Sequence, residues 1–482
     1  MKKRFILILL LSSAFLLLTG CVYKSTTSEL AQFDNILQEN RCDFSIVDKK
    51  LKKGDDIILW SIQGGSLARN CGDFAKSTQF FDEAELHYKF DVDMKNPLLE
   101  VRDKTKSILI NNNANPYEGN VYEKIMVNTY KALNFLALND KENARVEINR
   151  ALERERIAKE YFANDIASLE KKNAANLQEL KNTQDLYNSF AKLKAEREEK
   201  KSGVKTKAQT FDFNENSIEL AFEKYTQNSA SAYSNFINPF TTYLSALFLL
   251  NDRSYQRAVD LFKEGLQIDP KNMQIAKDFM MADKMAGEFN ARFNEHYVWL
   301  IYENGFGAAR GEFTIDLPLF LASDSLIYSS IALPTLVFRP LSYPFLTIKN
   351  DSGDSFRTYV IADMDSIASA EFNKRYFGLA AQAVISAAAK TVIQKQLNDI
   401  DPILGFLGFA YQIATTKADT RSWSALPKRF EAASIPIKDG NITIIDENGI
   451  ILQKEFLQND KNVIIYIKSL QKGQITVHKI YL

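Results

Sequence analysis

The chain has 482 residues, with 60 basic and 60 acidic side chains, 46% hydrophobic and 25% charged. That composition is globular, and the length is that of two to four domains at roughly 100–200 residues each. Zero formal charge excludes nucleic-acid binding through bulk electrostatics, and three cysteines with three histidines exclude a disulfide-dense scaffold and argue against a zinc cluster.

Residues 1–20 read as an export signal. Lys2, Lys3 and Arg4 precede an apolar run from Phe5 to Leu18, interrupted by Ser12 and Ser13. Such a run behind positive charge is too short for a comfortable membrane span. Leu18-Thr19-Gly20-Cys21 resembles the bacterial lipobox. The resemblance implies cleavage before Cys21, a diacylglyceryl group on its thiol and a fatty acyl chain such as palmitate on the new amine. Val22 rather than Asp implies the outer membrane, with the body facing the periplasm. Losing Lys2, Lys3 and Arg4 leaves 57 basic residues against 60 acidic ones, net about −3. Bulk charge then draws the chain little toward anionic lipid, and the acyl chains, at ~0.8 kcal/mol per buried methylene, do the anchoring.

Residues 21–56 are expected to be a lipidated tether and a poorly defined N-terminal segment. Once Cys21 is lipidated, Cys42 and Cys71 remain. In an oxidising compartment they are candidates for one bridge between the tether and the first helical repeat, with two buried free thiols as the other reading.

Residues 57–290 are predicted to be a helical domain. Phe74, Ser77, Phe81 and Ala84 fall on one helix face, Ala132, Phe135, Ala144, Ile148 and Ala151 repeat that spacing, and Ala246, Leu249, Ala258, Phe262, Gly265 and Pro270 repeat it again. Small residues at helix crossings, aromatics between the helices and a terminal proline resemble the tetratricopeptide repeat (TPR). The copies are not contiguous, so the expectation is a TPR-like array with insertions. The resemblance implies a concave surface for a protein partner; the plainer reading is stacked helices forming a core. Residues 153–235 form the insertion. Phe162, Ile166, Leu169, Leu177, Leu180, Tyr187 and Phe190 give a broken coiled-coil stripe on a long helix ending near Ser202-Gly203, and 216–235 is expected to pack back on it. An intramolecular hairpin is preferred over an oligomerisation seam.

From residue 291 to 482 the pattern becomes that of an α+β domain with an antiparallel sheet. Strands are expected over 297–302, 311–318, 333–338, 344–348, 356–361, 442–446, 450–456, 463–467 and 475–481, with Asn448-Gly449 as a hairpin turn. Helices are expected over 366–397 and 402–417.

Three strings then carry a family resemblance: Glu303-Asn304-Gly305 with Leu317-Pro318; Ala362-Asp363-Met364-Asp365-Ser366-Ile367; and Ala418-Asp419-Thr420-Arg421-Ser422-Trp423-x-x-Leu426-Pro427. They resemble an uncharacterised family of bacterial TPR-containing lipoproteins. The resemblance implies a cell-envelope role and no established activity. Asp363-x-Asp365 supplies too few oxygens for a cation and reads better as a helix N-cap, so no metal is expected. Asp419 and Arg421 read as an internal ion pair with Trp423 covering the core. Glu303 and Glu312 are a weak carboxylate pair for glycan hydrolysis, and His87, His296 and His478 match no catalytic spacing. The expectation is therefore a non-enzymatic envelope scaffold without cofactors. It is held to the membrane by its lipid and docks an envelope protein, for cell-wall synthesis or a trans-envelope assembly, without nucleic acid or a small-molecule substrate. The competing expectation is a glycan-binding or glycan-modifying enzyme using 291–482.

Overall fold

The computed structural model describes residues 26–88, 116–205, 238–319, 327–373, 419–458 and 460–482. The signal peptide, Cys21, the return helix at 216–235 and the helix at 402–417 lie outside them, as does 366–397 after residue 373.

The chain enters through two helices, α1 (Thr26–Gln38) and α2 (Ser45–Lys53), where an undefined tether was expected. Leu30, Phe33, Ile36 and Leu37 recur at helical spacing and are buried on α1, as are Ile46 and Val47 on α2. Cys42 and Cys71 are disulfide-bonded, Cα to Cα 5.8 Å, which ties this entry to the first hairpin.

Three antiparallel helix hairpins follow: α3 (Ile57–Asn70) with α4 (Phe74–His87), α5 (Val121–Ala137) with α6 (Lys141–Ser202), and α7 (Pro239–Asn251) with α8 (Tyr255–Ile268). They share one register. The fourth residues of the second helices are Ser77, Ala144 and Ala258, the eighth Phe81, Ile148 and Phe262, and the eleventh Ala84, Ala151 and Gly265; all are buried. Close crossing requires the small residues. A Cβ on Gly65, the counterpart of Ala132 and Ala246, would lie 2.4 Å from the Phe81 ring. Each connection turns on one left-handed residue, Gly72, Asn139 or Arg253. Asp73 and Asp140 cap the helices that follow by accepting from Lys76 N and Asn143 N. Lys131, almost wholly buried on α5, joins the first two hairpins through Asp82, Glu85 and Glu147 at 2.7–3.0 Å.

Helix α6 runs unbroken for 62 residues, ending at Gly203 in the left-handed conformation; at 1.5 Å per residue that is about 93 Å. The side chains of its predicted stripe lie outside the described residues. Pro270 sits exposed in the turn from α8 to α9 (Met273–Gly287).

Beyond α9 lie eleven strands among the described residues. The main sheet has the order β11-β10-β1-β7-β6, from Gln474–Tyr481, Val463–Gln471, Tyr297–Phe306, Pro427–Pro436 and Tyr359–Asp363. It is mixed, not antiparallel as expected: β1 runs parallel to β10, Val298 opposite Val463, and antiparallel to β7, Val298 opposite Ile435. A second sheet orders β5 (Ser355–Arg357), β4 (Thr347–Asn350), β8 (Asn441–Ile445) and β9 (Ile451–Phe456); β2 (Ala309–Leu319) and β3 (Ile327–Val337) form a separate ribbon.

Strand β1 is buried on both faces, and its period of two divides it between two cores. Trp299 and Ile301, with Phe430, Ala432, Ile464 and Tyr466, join the core of the helices. Val298, Leu300 and Tyr302, with Ala433, Ile435, Val463 and Ile465, join the core shared with the second sheet. The order of layers is helices, mixed sheet, second sheet. Secondary structure changes type near residue 290, yet one hydrophobic cluster runs across that change.

The inner helices α3, α5 and α7 are buried against the chain's own sheet and the loop preceding β7. Phe240 of α7 stacks on Phe430 of β7 at 3.7 Å, and Tyr130 of α5 lies 6.3 Å from the same ring. Helices this apolar on every side need cover on every side, and the sheet supplies it.

Candidate functional site

Residues 419–427, from the third of the strings singled out in the sequence, form a loop wedged between the helices and β7. Trp423 lies between Phe81 of α4 and Tyr130 of α5, each centroid 5.7 Å away. Its Nε1 donates to Ser66 Oγ at 2.8 Å, and its backbone N donates to Glu123 at 3.0 Å. Glu123 is fully buried and also accepts from the Tyr117 hydroxyl and from Asn120 N. Asn120 and Glu123 form a reciprocal capping box at the start of α5, so one carboxylate ends a helix and holds the loop.

Arg421 is buried and makes two parallel bonds to Asp419, both 2.9 Å, and a third to Asp56 at 2.7 Å. Burial opposes its charge, but Asp419 and Asp56 outweigh burial and raise its pKa. Asp56 stands at the N-terminus of α3, so the ion pair crosses from loop to helices. Ser424 donates to Asp34 of α1 at 2.6 Å and accepts from Gln63 of α3 at 2.9 Å. Arg339 closes this end, with bonds to Asp34 at 2.7 Å and to the carbonyls of Gly307 and Ser424, both 2.6 Å. Burial raises the Asp34 pKa despite the neighbouring Arg339. Pro427 then pairs with Phe306 at the start of β7. A Cβ on Gly307 would meet the Pro427 carbonyl at 2.9 Å, which explains the glycine.

Asp363 accepts from Ser366 N at 3.0 Å, the N-cap bond of the helical stretch 364–373, and from Arg429 at 2.9 Å. Asp365 accepts from Ala308 N at 2.6 Å and pairs with Lys428; burial is the largest influence on its pKa, which is raised. Glu303 is buried in β1, where Tyr466 donates to it and Lys468 lies 3.5 Å away. Burial pushes the Lys468 pKa down. Glu312 is exposed on β2; the structure buries one member of the proposed carboxylate pair and exposes the other. His478 of β11 packs edge-on against Phe74 at 5.1 Å, and burial, aided by Arg69, lowers its pKa to about 4.

The repeat residues are packing residues. Phe81, Ala84, Ala132, Ala144, Ile148, Ala246, Ala258 and Phe262 are buried, and Phe74 and Phe135 are half-buried. Among the described residues no group of three or more His, Cys, Asp or Glu side chains is arranged to hold a metal ion, and no helix is long and apolar enough to cross a membrane. An open groove of about 300 Å³ lies between α2 and α4, lined by Leu51, Ile57, Lys76, Gln79, Phe80 and Glu83.

Asp34, Asp56, Gln63, Ser66 and Arg339 were not singled out from the sequence. Each acts on a residue far away in the chain and lies in no local pattern. Glu123 had a readable signal, the Asn120-x-x-Glu123 capping box. No family model matches the chain, and neither a curated protein nor a solved structure is found to be similar to it.

Proposed function

We propose that the chain is a lipid-anchored, periplasm-facing envelope lipoprotein that acts as a non-enzymatic scaffold. The observation that carries this reading is the run Lys2-Lys3-Arg4, apolar Phe5 to Leu18, and Leu18-Thr19-Gly20-Cys21. Two structural facts support it. Cys42 and Cys71 are bonded, as suits an oxidising compartment. The polar contacts of the 419–427 loop join it to the helices rather than converging on an opening. Hairpins in TPR-like register stack as helix pairs, and one core shared by helices and sheet suits a part that holds others in place.

Because α3, α5 and α7 face inward, a partner docks on the outer helices or on α6. In-cell crosslinking of the lipidated chain tests the reading: one reproducible envelope partner supports a scaffold. Peptidoglycan cleavage by the purified chain, abolished by Glu303→Gln or Glu312→Gln, counts against it and supports a glycan-modifying enzyme.

A further inference from the structure

From the lysine-rich end of α2 we infer a second membrane contact: Lys49, Lys52 and Lys53 rest on the anionic headgroups of the bilayer that holds the Cys21 lipid. The inference rests on the lipoprotein reading above and adds the orientation of the body. Helix α2 has the sequence Ser-Ile-Val-Asp-Lys-Lys-Leu-Lys-Lys, four cations against the single acid Asp48. Ile46 and Val47 are buried, while Lys49, Lys52 and Lys53 are exposed and make no ion pair within the described residues.

The fourth lysine fixes where this face lies. Lys50, in the last turn of α2, bonds Glu29, in the first turn of α1, at 2.7 Å, and its other carboxylate partner is Asp55 at 3.5 Å. The pair sets the end of α2 beside the beginning of α1 and engages Glu29 and Asp55, leaving Asp48 as the one acid of α2 beside three exposed lysines. Helix α1 begins at Thr26, five residues after Cys21. Five residues span at most about 18 Å even when fully extended. Lipid at Cys21 therefore holds the start of α1, and the lysines beside it, within reach of the headgroups.

Charge selects the occupant. A cationic side chain near an anionic surface contributes about 1 kcal/mol, roughly fivefold in affinity, and the effect fades within a Debye length. Three lysines together favour the contact by roughly 100-fold. The overall charge of the mature chain, about −3, hides this local patch. A single acyl chain anchors marginally and a basic cluster is the usual complement; here the cluster's main effect is to fix which face meets the membrane.

The test uses the full lipidated protein in vesicles of phosphatidylcholine alone or with phosphatidylglycerol added, with lysine acetylation rates read by mass spectrometry. Lys49, Lys52 and Lys53 should react at least tenfold more slowly when phosphatidylglycerol is present. High salt should restore their rates, and exposed Lys271 and Lys454 should not change. Equal rates in the two vesicles, or protection in phosphatidylcholine alone, overturn the inference while leaving the lipid anchor standing. A chain that fails to enter either vesicle takes down both readings. In the triple variant Lys49→Gln, Lys52→Gln, Lys53→Gln, which alters only exposed side chains, labels on the neighbouring Lys50 should lose their dependence on phosphatidylglycerol.

Discussion

Replacing Trp423 by Ala removes the side chain that most directly joins the loop to the helices. The indole is 2% exposed, its ring fills the space between Phe81 and Tyr130, and Nε1 donates to Ser66. Truncating a buried aromatic to Ala costs about 3–5 kcal/mol, and the lost hydrogen bond lies within that range rather than beyond it. Trp60 in α3 and Trp299 in β1 remain as reporters, each at most 1% exposed. Urea unfolding is then followed by far-UV circular dichroism, dominated by the helices, and by tryptophan fluorescence. Because one core spans helices and sheet, both signals should shift together. With a urea slope of about 3 kcal/mol/M or more for a chain of this size, both midpoints fall by about 1 M. A helical signal that stays at the wild-type midpoint while fluorescence moves would refute the shared core and make the halves separate folding units.

Arg421→Ala leaves Asp419 and Asp56 facing each other without their cation and should cost about 3–5 kcal/mol, read from the same urea curves; Arg421→Lys, with one ammonium in place of the fork, should recover only part. Gly65→Ala forces a methyl against the Phe81 ring and should cost about 1–3 kcal/mol, seen as a lower thermal midpoint. Reducing the bond between Cys42 and Cys71, 29 residues apart, should cost about 3.5 kcal/mol on the chain-entropy account, and Cys42→Ser should make stability insensitive to reductant. His478 has a folded pKa of about 4, below the unfolded value of about 6.5, because burial and Arg69 disfavour its charge. Its neutral form is thus the one the fold holds: stability is intact above pH 6.5 and is lost as pH falls through 4. Discounted for partial exposure, the loss is about 1–3 kcal/mol. Asp34, Asp278, Asp365 and Glu431 have raised pKa values and push the other way. The comparison that isolates His478 is therefore wild type against His478→Gln from pH 7.5 to 4, with the variant losing less.

What could be read from the sequence was local. The spacing of Ser77, Phe81 and Ala84 returns at Ala144, Ile148 and Ala151 and at Ala258, Phe262 and Gly265, because close helix crossings accept few side chains. The turn at Asn448-Gly449 marked the β8–β9 hairpin, and Ser202-Gly203 marked the end of α6. What escaped depends on distant partners. Strand β7 begins and ends in proline and carries Lys428, Arg429 and Glu431, and it was not among the expected strands; its place between β1 and β6 comes from Phe430, Ala432 and Ile435 meeting two cores. The parallel pairing of β1 with β10 joins segments more than 150 residues apart and leaves no mark in either strand. Helix α2 was hidden by its charged outer face, and α1 by a polar, uncharged one of Ser28, Gln32 and Asn35. The internal Asp419–Arg421 pair was legible from spacing, whereas its third partner, Asp56, was not.

The proposed scaffold depends on a lipid at Cys21. Growth with labelled palmitate, followed by membrane fractionation and intact-mass measurement of wild type and Cys21→Ser, tests it most directly. The wild-type chain should carry label, be recovered with the outer membrane and have a mass matching cleavage before residue 21 plus acyl groups, all lost in Cys21→Ser. An unlabelled wild-type chain whose mass and fractionation match those of the variant would contradict the claim.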